Sequence, residues 1–339
     1  MRAVVMHEQG PPSVLQVENV PMPSIKPHEV LIKVGACGVS YHDIVERNGA
    51  YQRGVHFPLV LGYEIAGSVE AVGEQVQRLK IGDRVCCKPF FSCGQCRRCR
   101  TGMETACKNR KGVRGGYADF VAVAEETLVV IPSSLSYENA CMIGAATGVA
   151  LNAVRDTAKV RLGERVLITG ASGGLGLPSI EIAKSCGARV IAVTRSASKV
   201  AALEESGADH VIVTPENGDF SKQVLELTQG DGVEAVIDNV GSRVFTPAFK
   251  SLAVGGRYAF VGQLFREEIS INPARIFFKR AQFLGVGSVR RDQLEDAVQL
   301  VASGSVSTRI AARLPLEKAA QAHEMLEAGE VVGRVVLIP

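Results

Sequence analysis

The 339 residues contain no tryptophan, and aromatic side chains make up only 5% of the chain. No stacking platform for bases or flat ligands can therefore be read from the sequence. The formal charge of +3 leaves no basic excess, which argues against a dedicated nucleic-acid binder. No apolar run approaches the ~18 residues of a membrane-spanning helix. The opening "MRAVVMHEQG" has no apolar leader. Neither an internal repeat nor a low-complexity linker is visible. The expectation is a cytoplasmic protein with a small-molecule partner, no nucleic acid and no membrane. What the chain does have is 46% hydrophobic residues, enough for a sizeable core in two domains.

Nine cysteines are present, an odd total that with no leader argues against a disulfide framework. Cys37, Cys86, Cys87, Cys141 and Cys186 are scattered among apolar residues, where buried free thiols are common. Cys93, Cys96, Cys99 and Cys107 instead lie together in "CGQCRRCRTGMETAC". Two short spacers hold three sulfurs in one bend, and a longer one brings the fourth round. Four thiolates close a tetrahedral shell and leave no open position, so the spacing points to one structural Zn2+ per chain. Arg97, Arg98 and Arg100 offset the charge of such a centre. An iron–sulfur cluster is the competing reading.

Patterning divides the chain. Residues 1–147 are short alternating runs broken by Gly and Pro, a β-rich domain. From residue 148 apolar strands such as "RVLITG", "ARVIAVT" and "VEAVIDNVG" alternate with helical stretches, including "RVFTPAFKSLAVGG" before the strand "RYAFVG". That alternation predicts α/β architecture with a doubly wound parallel sheet over 148–285. Residues 286–339 return to mixed patterning, with helices over 291–303 and 316–328, and rejoin the first domain. "RIFFKRAQFLGVG" ends in an expected edge strand that would pair with a second copy, giving a homodimer or homotetramer.

"TGASGGLG" lies between a strand and a helix of this alternation. Small residues there let the chain turn tightly and approach a pyrophosphate, which the helix N-terminus attracts. Gly170, Ala171, Ser172, Gly173, Gly174, Leu175 and Gly176 are therefore candidate cofactor contacts, with Ala171 where the fingerprint has its first Gly. An NAD site usually carries an acid about 20 residues on. Here the second strand ends at Thr194, followed by Arg195, Ser196 and Lys199, which suit a 2′-phosphate. NADPH is the expected cofactor. Asn239 and Val240, Gly262, Gly287 and Thr147 complete the candidate set, the first four closing strands at the sheet's carboxyl edge, where ligands bind.

Taken together, Gly62-Tyr63-Glu64 with Gly67, "VGEQVQRLKIGDRV", the four cysteines and "GASGGLG" resemble the medium-chain dehydrogenase/reductase superfamily over essentially the whole chain. The resemblance implies a GroES-like catalytic domain plus a Rossmann domain. Zinc alcohol dehydrogenases of that superfamily hold a second, catalytic zinc through Cys, His and Cys. Those places fall on Ser40, Tyr63 and Ala145 or a neighbour, which are poor ligands or none. "SYHDIVERNGAY" resembles the quinone oxidoreductase branch, with Ser40, Asp43, Arg47, Gly49 and Tyr51 in its pattern. The branch and its enoyl-thioester and acryloyl-CoA reductase cousins work without an active-site metal. The implied activity is NADPH-dependent reduction of an activated C=C bond or a quinone, with Tyr51, His42, Tyr63, Ser40 and Tyr41 as candidate catalytic residues. Two alternatives stand: an alcohol or aldehyde dehydrogenase with a rearranged zinc site on Cys37, Cys141, His42 and Glu64, and a non-enzymatic NADPH sensor. Arg290 and Arg291 are candidates for a phosphate-bearing substrate such as a CoA thioester.

Overall fold

Burial alternates along "EVLIKVGACGV", which presents one face to a core and forms the spine of an antiparallel sheet. The computed structural model describes every residue except Gln52, Arg53 and Arg266. The chain forms two units: Met1–Gly148 with Ser288–Gly304 and Thr308–Pro339, and Val149–Gly287 with Ser305–Ser307.

In the first unit a small sheet is built on β1 (Arg2–Met6). The spine is β2 (Glu29–Val39), followed directly by the short helix α1 (Tyr41–Arg47). β3 (Glu64–Val72), β4 (Arg84–Cys87), β5 (Phe120–Ala124) and β6 (Leu128–Val130) complete its N-terminal part. β2 pairs antiparallel with β3 and β5, β3 with β4, and β4 with β6. The register sets Gly38 opposite Glu64. A Cβ on Gly38 would lie 2.3 Å from Glu64 Oε2, so only glycine leaves room for that carboxylate. Val30, Ile32, Ile65, Val69 and Leu128 fill the core of this sheet.

The second unit holds β7 (Arg165–Thr169), α2 (Gly176–Ser185), β8 (Arg189–Thr194), β9 (His210–Val213), β10 (Val233–Asp238), α3 (Ser242–Lys250), β11 (Leu252–Phe260) and β12 (Gln282–Gly285). All pairings are parallel, in the order β9-β8-β7-β10-β11-β12. This is the doubly wound dinucleotide order, with the switch between β7 and β10. One expected boundary moves. α3 ends at Lys250, and "LAVGG" belongs to β11 rather than to the helix. Leu252 pairs with Val233, and Gly255 takes φ +79°, outside helical geometry. β12 has β11 as its one neighbour among the described residues, and Phe277 and Phe278 nearby in sequence are 62% and 77% exposed.

The chain then returns to the first unit through α4 (Arg291–Ala302), β13 (Ile310–Pro315), α5 (Ala319–Ala328) and β14 (Arg334–Ile338). β14 pairs antiparallel with β2 and parallel with β13. No described helix is long and apolar enough to cross a membrane.

Candidate active site

The Gly-rich turn joins β7 to α2. A Cβ on Gly176 would lie 2.3 Å from the Ala171 carbonyl oxygen and 2.4 Å from that of Gly170, so α2 can begin there only on glycine. Gly173 N donates to Gly170 O and Gly176 N to Gly173 O, at 3.1 and 3.0 Å. Asp238, which sequence reasoning passed over, fastens the turn from beneath. Its Oδ1 accepts from Thr169 Oγ1 at 2.6 Å and from Val240 N and Gly241 N at 3.0 Å. Its Oδ2 accepts from the Tyr258 hydroxyl at 2.7 Å. Burial raises this carboxyl, and those hydrogen bonds pull it back. Asn239 donates Nδ2 to Thr169 O at 2.9 Å, while its buried Oδ1 has no partner. Gly262 packs on Asn239, where a Cβ would meet the Asn239 carbonyl oxygen at 2.8 Å. A turn that only small residues can make, beside an unspent buried acceptor, fits a bound dinucleotide.

At the end of β8, Thr194 is buried and Arg195 exposed, and Ser196 Oγ lies 2.8 Å from Ser198 Oγ. Lys199, expected beside Arg195, is buried in the short helix Ala197–Lys199. Arg195 is thus the exposed cation of the pair. Ser172, Gly173, Leu175 and Val240 are half-buried and Gly174 buried, while Gly287 is exposed after β12. Thr147 belongs to the first unit, buried at the end of the π-helical segment Ile143–Thr147.

In the first unit, Ser40 caps α1. Its Oγ accepts from His42 N and Asp43 N at 3.1 and 3.4 Å, and Asp43 returns a bond to Ser40 N. The same Oγ donates to Asp43 Oδ2 at 2.9 Å and meets the Tyr63 hydroxyl at 2.6 Å. Asp43 Oδ1 accepts from Gly62 N at 3.0 Å. The His42 ring lies 5.0 Å from that of Tyr51 and 5.2 Å from that of Tyr63, so α1 gathers three of the candidate donors. Tyr41 is half-buried on the same helix.

Glu46, Arg114, Tyr117, His323, Glu327 and Arg334, which no local signal in the sequence singles out, surround this cluster. His42 Nε2 is 3.3 Å from Glu46 Oε1. Arg114 grips Glu46 with both Nη2, at 2.6 Å, and Nε, at 3.1 Å. Burial pushes Glu46 up, but His42 and Arg114 outweigh it and leave the carboxyl below its usual range. Arg47 ties α1 to α5 through Glu327 and donates to His323 Nδ1 at 3.5 Å, while His323 Nε2 meets the Tyr117 hydroxyl at 3.1 Å. Burial, then the adjacent Arg47, lowers His323 to about 3, so it stays neutral. Glu64 is fully buried and takes Arg334 on both oxygens, Nη2 to Oε1 at 2.9 Å and Nε to Oε2 at 3.2 Å.

Cys93, Cys96, Cys99 and Cys107 converge with all four sulfurs within 4.8 Å of one another. Tetrahedral zinc with ~2.3 Å bonds needs sulfur pairs ~3.8 Å apart. The pairs Cys96–Cys99, Cys93–Cys107 and Cys96–Cys107 measure 3.5, 3.5 and 4.0 Å. Peptide N–H groups from Cys99 and Lys108 lower the Cys96 thiol to about 6. The residues fit one Zn2+, which when bound cross-links the loop. The rearranged ligand set does not assemble. Cys37 donates to Gly38 O and Cys141 to Glu138 O, His42 faces Glu46, and Glu64 is spent on Arg334. Arg290 is engaged with Asp292, and Arg291 with Glu295 and the Leu128 carbonyl.

Residues 26–133 match the family model for an alcohol dehydrogenase GroES-like domain, and residues 174–303 that for a zinc-binding dehydrogenase. An acryloyl-coenzyme A reductase of Sulfurisphaera tokodaii is 32% identical, with the whole of each chain covered. An alcohol dehydrogenase of Geobacillus stearothermophilus is 35% identical over 99% of each. The crystal structure of AibC superposes with a TM-score of 0.93 at 42% identity, covering all of this chain and 96% of that one.

Proposed function

The chain belongs to the medium-chain dehydrogenase/reductase superfamily of oxidoreductases, and from that premise we propose that it reduces an activated C=C bond, foremost that of an enoyl thioester, with NADPH and without a catalytic metal. One observation carries the reading. The Ser40–Tyr63 hydrogen bond of 2.6 Å occupies the place that the resemblance assigns to two zinc ligands. Glu64, which the rearranged ligand set would need, is neutralised by Arg334. A reduced enoyl thioester carries its negative charge as an enolate, which hydrogen-bond donors stabilise. For a developing alkoxide a metal-dependent relative would supply a Lewis acid instead.

When bound, the dinucleotide supplies the hydride. The Gly-rich turn holds its pyrophosphate, and Arg195 with Ser196 favours the 2′-phosphate. His42, Tyr51 and Tyr63 are the donors that steady the enolate, and Glu46 with Arg114 orients the His42 ring. Tyr41, half-buried on the same helix, is a further candidate donor. The match to a relative named acryloyl-coenzyme A reductase supports the thioester class. The match to a relative named alcohol dehydrogenase supports the second reading, carbinol oxidation. A quinone is a further acceptor. β12 and the exposed Phe277 and Phe278 serve a homodimer or homotetramer, which sedimentation of Phe278→Asp tests. That variant sediments as a smaller species, and an unchanged assembly refutes the interface.

The test is an acceptor screen that follows NADPH absorbance beside zinc quantification. Enoyl-CoA turnover with one zinc per chain is expected. Two zincs per chain with alcohol oxidation would overturn the proposal. No oxidation by enoyl thioesters, enals or quinones would favour a sensor.

A further inference from the structure

Ser40 and Asp43 cap a helix, but their hydrogens reach further than the cap. Resting on the reductase reading above, we propose that Asp43, Ser40 and Tyr63 form a proton relay, in which one proton on Asp43 decides whether Tyr63 turns a hydrogen or a lone pair outward.

The assignment follows from counting donors. Asp43 and Ser40 are buried, and Tyr63 is half-buried, the least buried member of the chain. Asp43 Oδ1 accepts from Gly62 N, and Oδ2 accepts from Ser40 N and Ser40 Oγ, at 3.0, 2.9 and 2.9 Å. Ser40 Oγ has one hydrogen and two lone pairs; it accepts from His42 N at 3.1 Å, lies a long 3.4 Å from Asp43 N, and touches the Tyr63 hydroxyl at 2.6 Å, so one lone pair is left for a hydroxyl or carboxyl hydrogen. An ionised carboxylate only accepts. With Asp43 ionised, the Ser40 hydrogen therefore goes to Asp43, Tyr63 donates inward to Ser40, and the outer side of Tyr63 offers only lone pairs. With Asp43 protonated at Oδ2, its hydrogen passes to Ser40 Oγ, the Ser40 hydrogen turns to Tyr63, and the Tyr63 hydrogen is free to point outward.

Both states are accessible near neutrality. Burial raises the Asp43 carboxyl to about 6, against the hydrogen bonds from Ser40 and the nearby His42. The titratable and charged groups facing it are His42 on its own helix, Tyr63 and Glu64 at the start of β3, Cys37 on β2, Arg114 and Tyr117 ahead of β5, and Arg334 on β14. Arg334 is matched by Glu64 and Arg114 by Glu46, so neither is a spare cation for Asp43.

In turnover the enolate α-carbon takes the Tyr63 proton. A C–H bond forms as the Tyr63 O–H breaks, Tyr63 oxygen takes the Ser40 hydrogen, and Ser40 oxygen takes that of Asp43. The negative charge thereby moves from the substrate to Asp43. A proton from water, entering at Tyr63 and passing inward, restores the starting state.

Tyr63→Phe removes the outlet while leaving the Ser40–Asp43 cap in place. With a saturating enoyl-CoA thioester, its kcat is expected to fall roughly a hundredfold, within the usual range for a lost acid. The fall of wild-type kcat as pH rises through about 6 should vanish with it. Infrared spectroscopy of the resting enzyme gives a readout without turnover. A buried carboxylic-acid band should grow on acidification through about pH 6, disappear in Asp43→Asn, and shift in Ser40→Ala. Because Asp43→Asn strands a peptide donor and can unfold the cap, Ser40→Ala carries the infrared arm alone if needed. A folded Tyr63→Phe with the wild-type pH profile, or a band unmoved by Ser40→Ala, overturns the relay. If no acceptor oxidises the cofactor, the reductase reading falls, and the infrared arm still decides the hydrogen-bond chain.

Discussion

Removing the guanidinium of Arg334 tests the electrostatics of the site most directly. Glu64 is 0% exposed and has Arg334 on both oxygens, at 2.9 and 3.2 Å. Stripping one partner from such a pair costs about 3–5 kcal/mol, because the other charge is left in a poor solvent. Burial already raises the Glu64 carboxyl in spite of Arg334, so without the arginine it rises further and the side chain takes up a proton. That fixes the sign of the pH effect. Proton uptake relieves the penalty, so Arg334→Ala should lose more stability at pH 8 than at pH 5.5, by about 1.4 kcal/mol for each unit of further rise that falls inside that interval. Urea unfolding followed by far-ultraviolet circular dichroism measures it. Glu64→Gln keeps the shape that Gly38 accommodates, and Glu64→Gln combined with Arg334→Ala should regain much of the loss, because no uncompensated charge is then left buried. A coupling above about 2 kcal/mol in this cycle is expected. A loss below about 1 kcal/mol for Arg334→Ala, or additive single variants, would refute the claim that the two charges depend on each other.

Three further outcomes are expected. Cys96→Ser should drop bound zinc from one per chain towards none by elemental analysis and open the 93–107 loop to proteolysis, and full zinc retention would contradict the tetrathiolate. Arg195→Asp should weaken NADPH binding by tenfold or more, roughly one charged hydrogen bond, with NADH little affected, and an unchanged Kd ratio in titration would remove Arg195 from the 2′-phosphate site. Asp43 titrates at about 6 in the fold against 3.8 as its ordinary value. Its raised pKa adds stability below about pH 4 that is lost as pH rises through 6, about 3 kcal/mol in all. Asp43→Asn should therefore flatten the stability profile between pH 4 and 6, and an identical slope in both proteins would count against a buried, titrating Asp43.

Local signals carried the parts of this molecule that lie close together in the chain. The cysteine spacing needs only fifteen residues to announce its cluster, and the strand–turn–helix around Gly170 to Gly176 is written in one stretch. Contacts between distant residues have no such periodicity. Arg114 meets Glu46 across 68 positions, and Arg334 meets Glu64 across 270. In sequence Asp43 reads as fixing a turn or as pairing with Arg47. It fixes the turn, through Ser40 and Gly62, while Arg47 turns to Glu327 and His323, because a C-terminal helix returns to cover α1. Lys199 carries a charge that reads as exposed, yet its place in a short helix buries it. The α3–β11 boundary is ambiguous in sequence because apolar "SLAV" suits a helix as well as a strand, and only pairing with Val233 decides.

The late position of β14 orders events on the ribosome. Residues 149–287 are made without interruption and can fold as they emerge, whereas β2, made long before, waits for the neighbour that supplies Arg334. Throughout that interval Glu64 lacks the arginine that neutralises it in the complete fold, and β2 lacks its β14 neighbour. Nascent chains stalled before residue 334 are therefore the species that a holdase chaperone should grip, and release of grip should coincide with the closing of that last antiparallel pair.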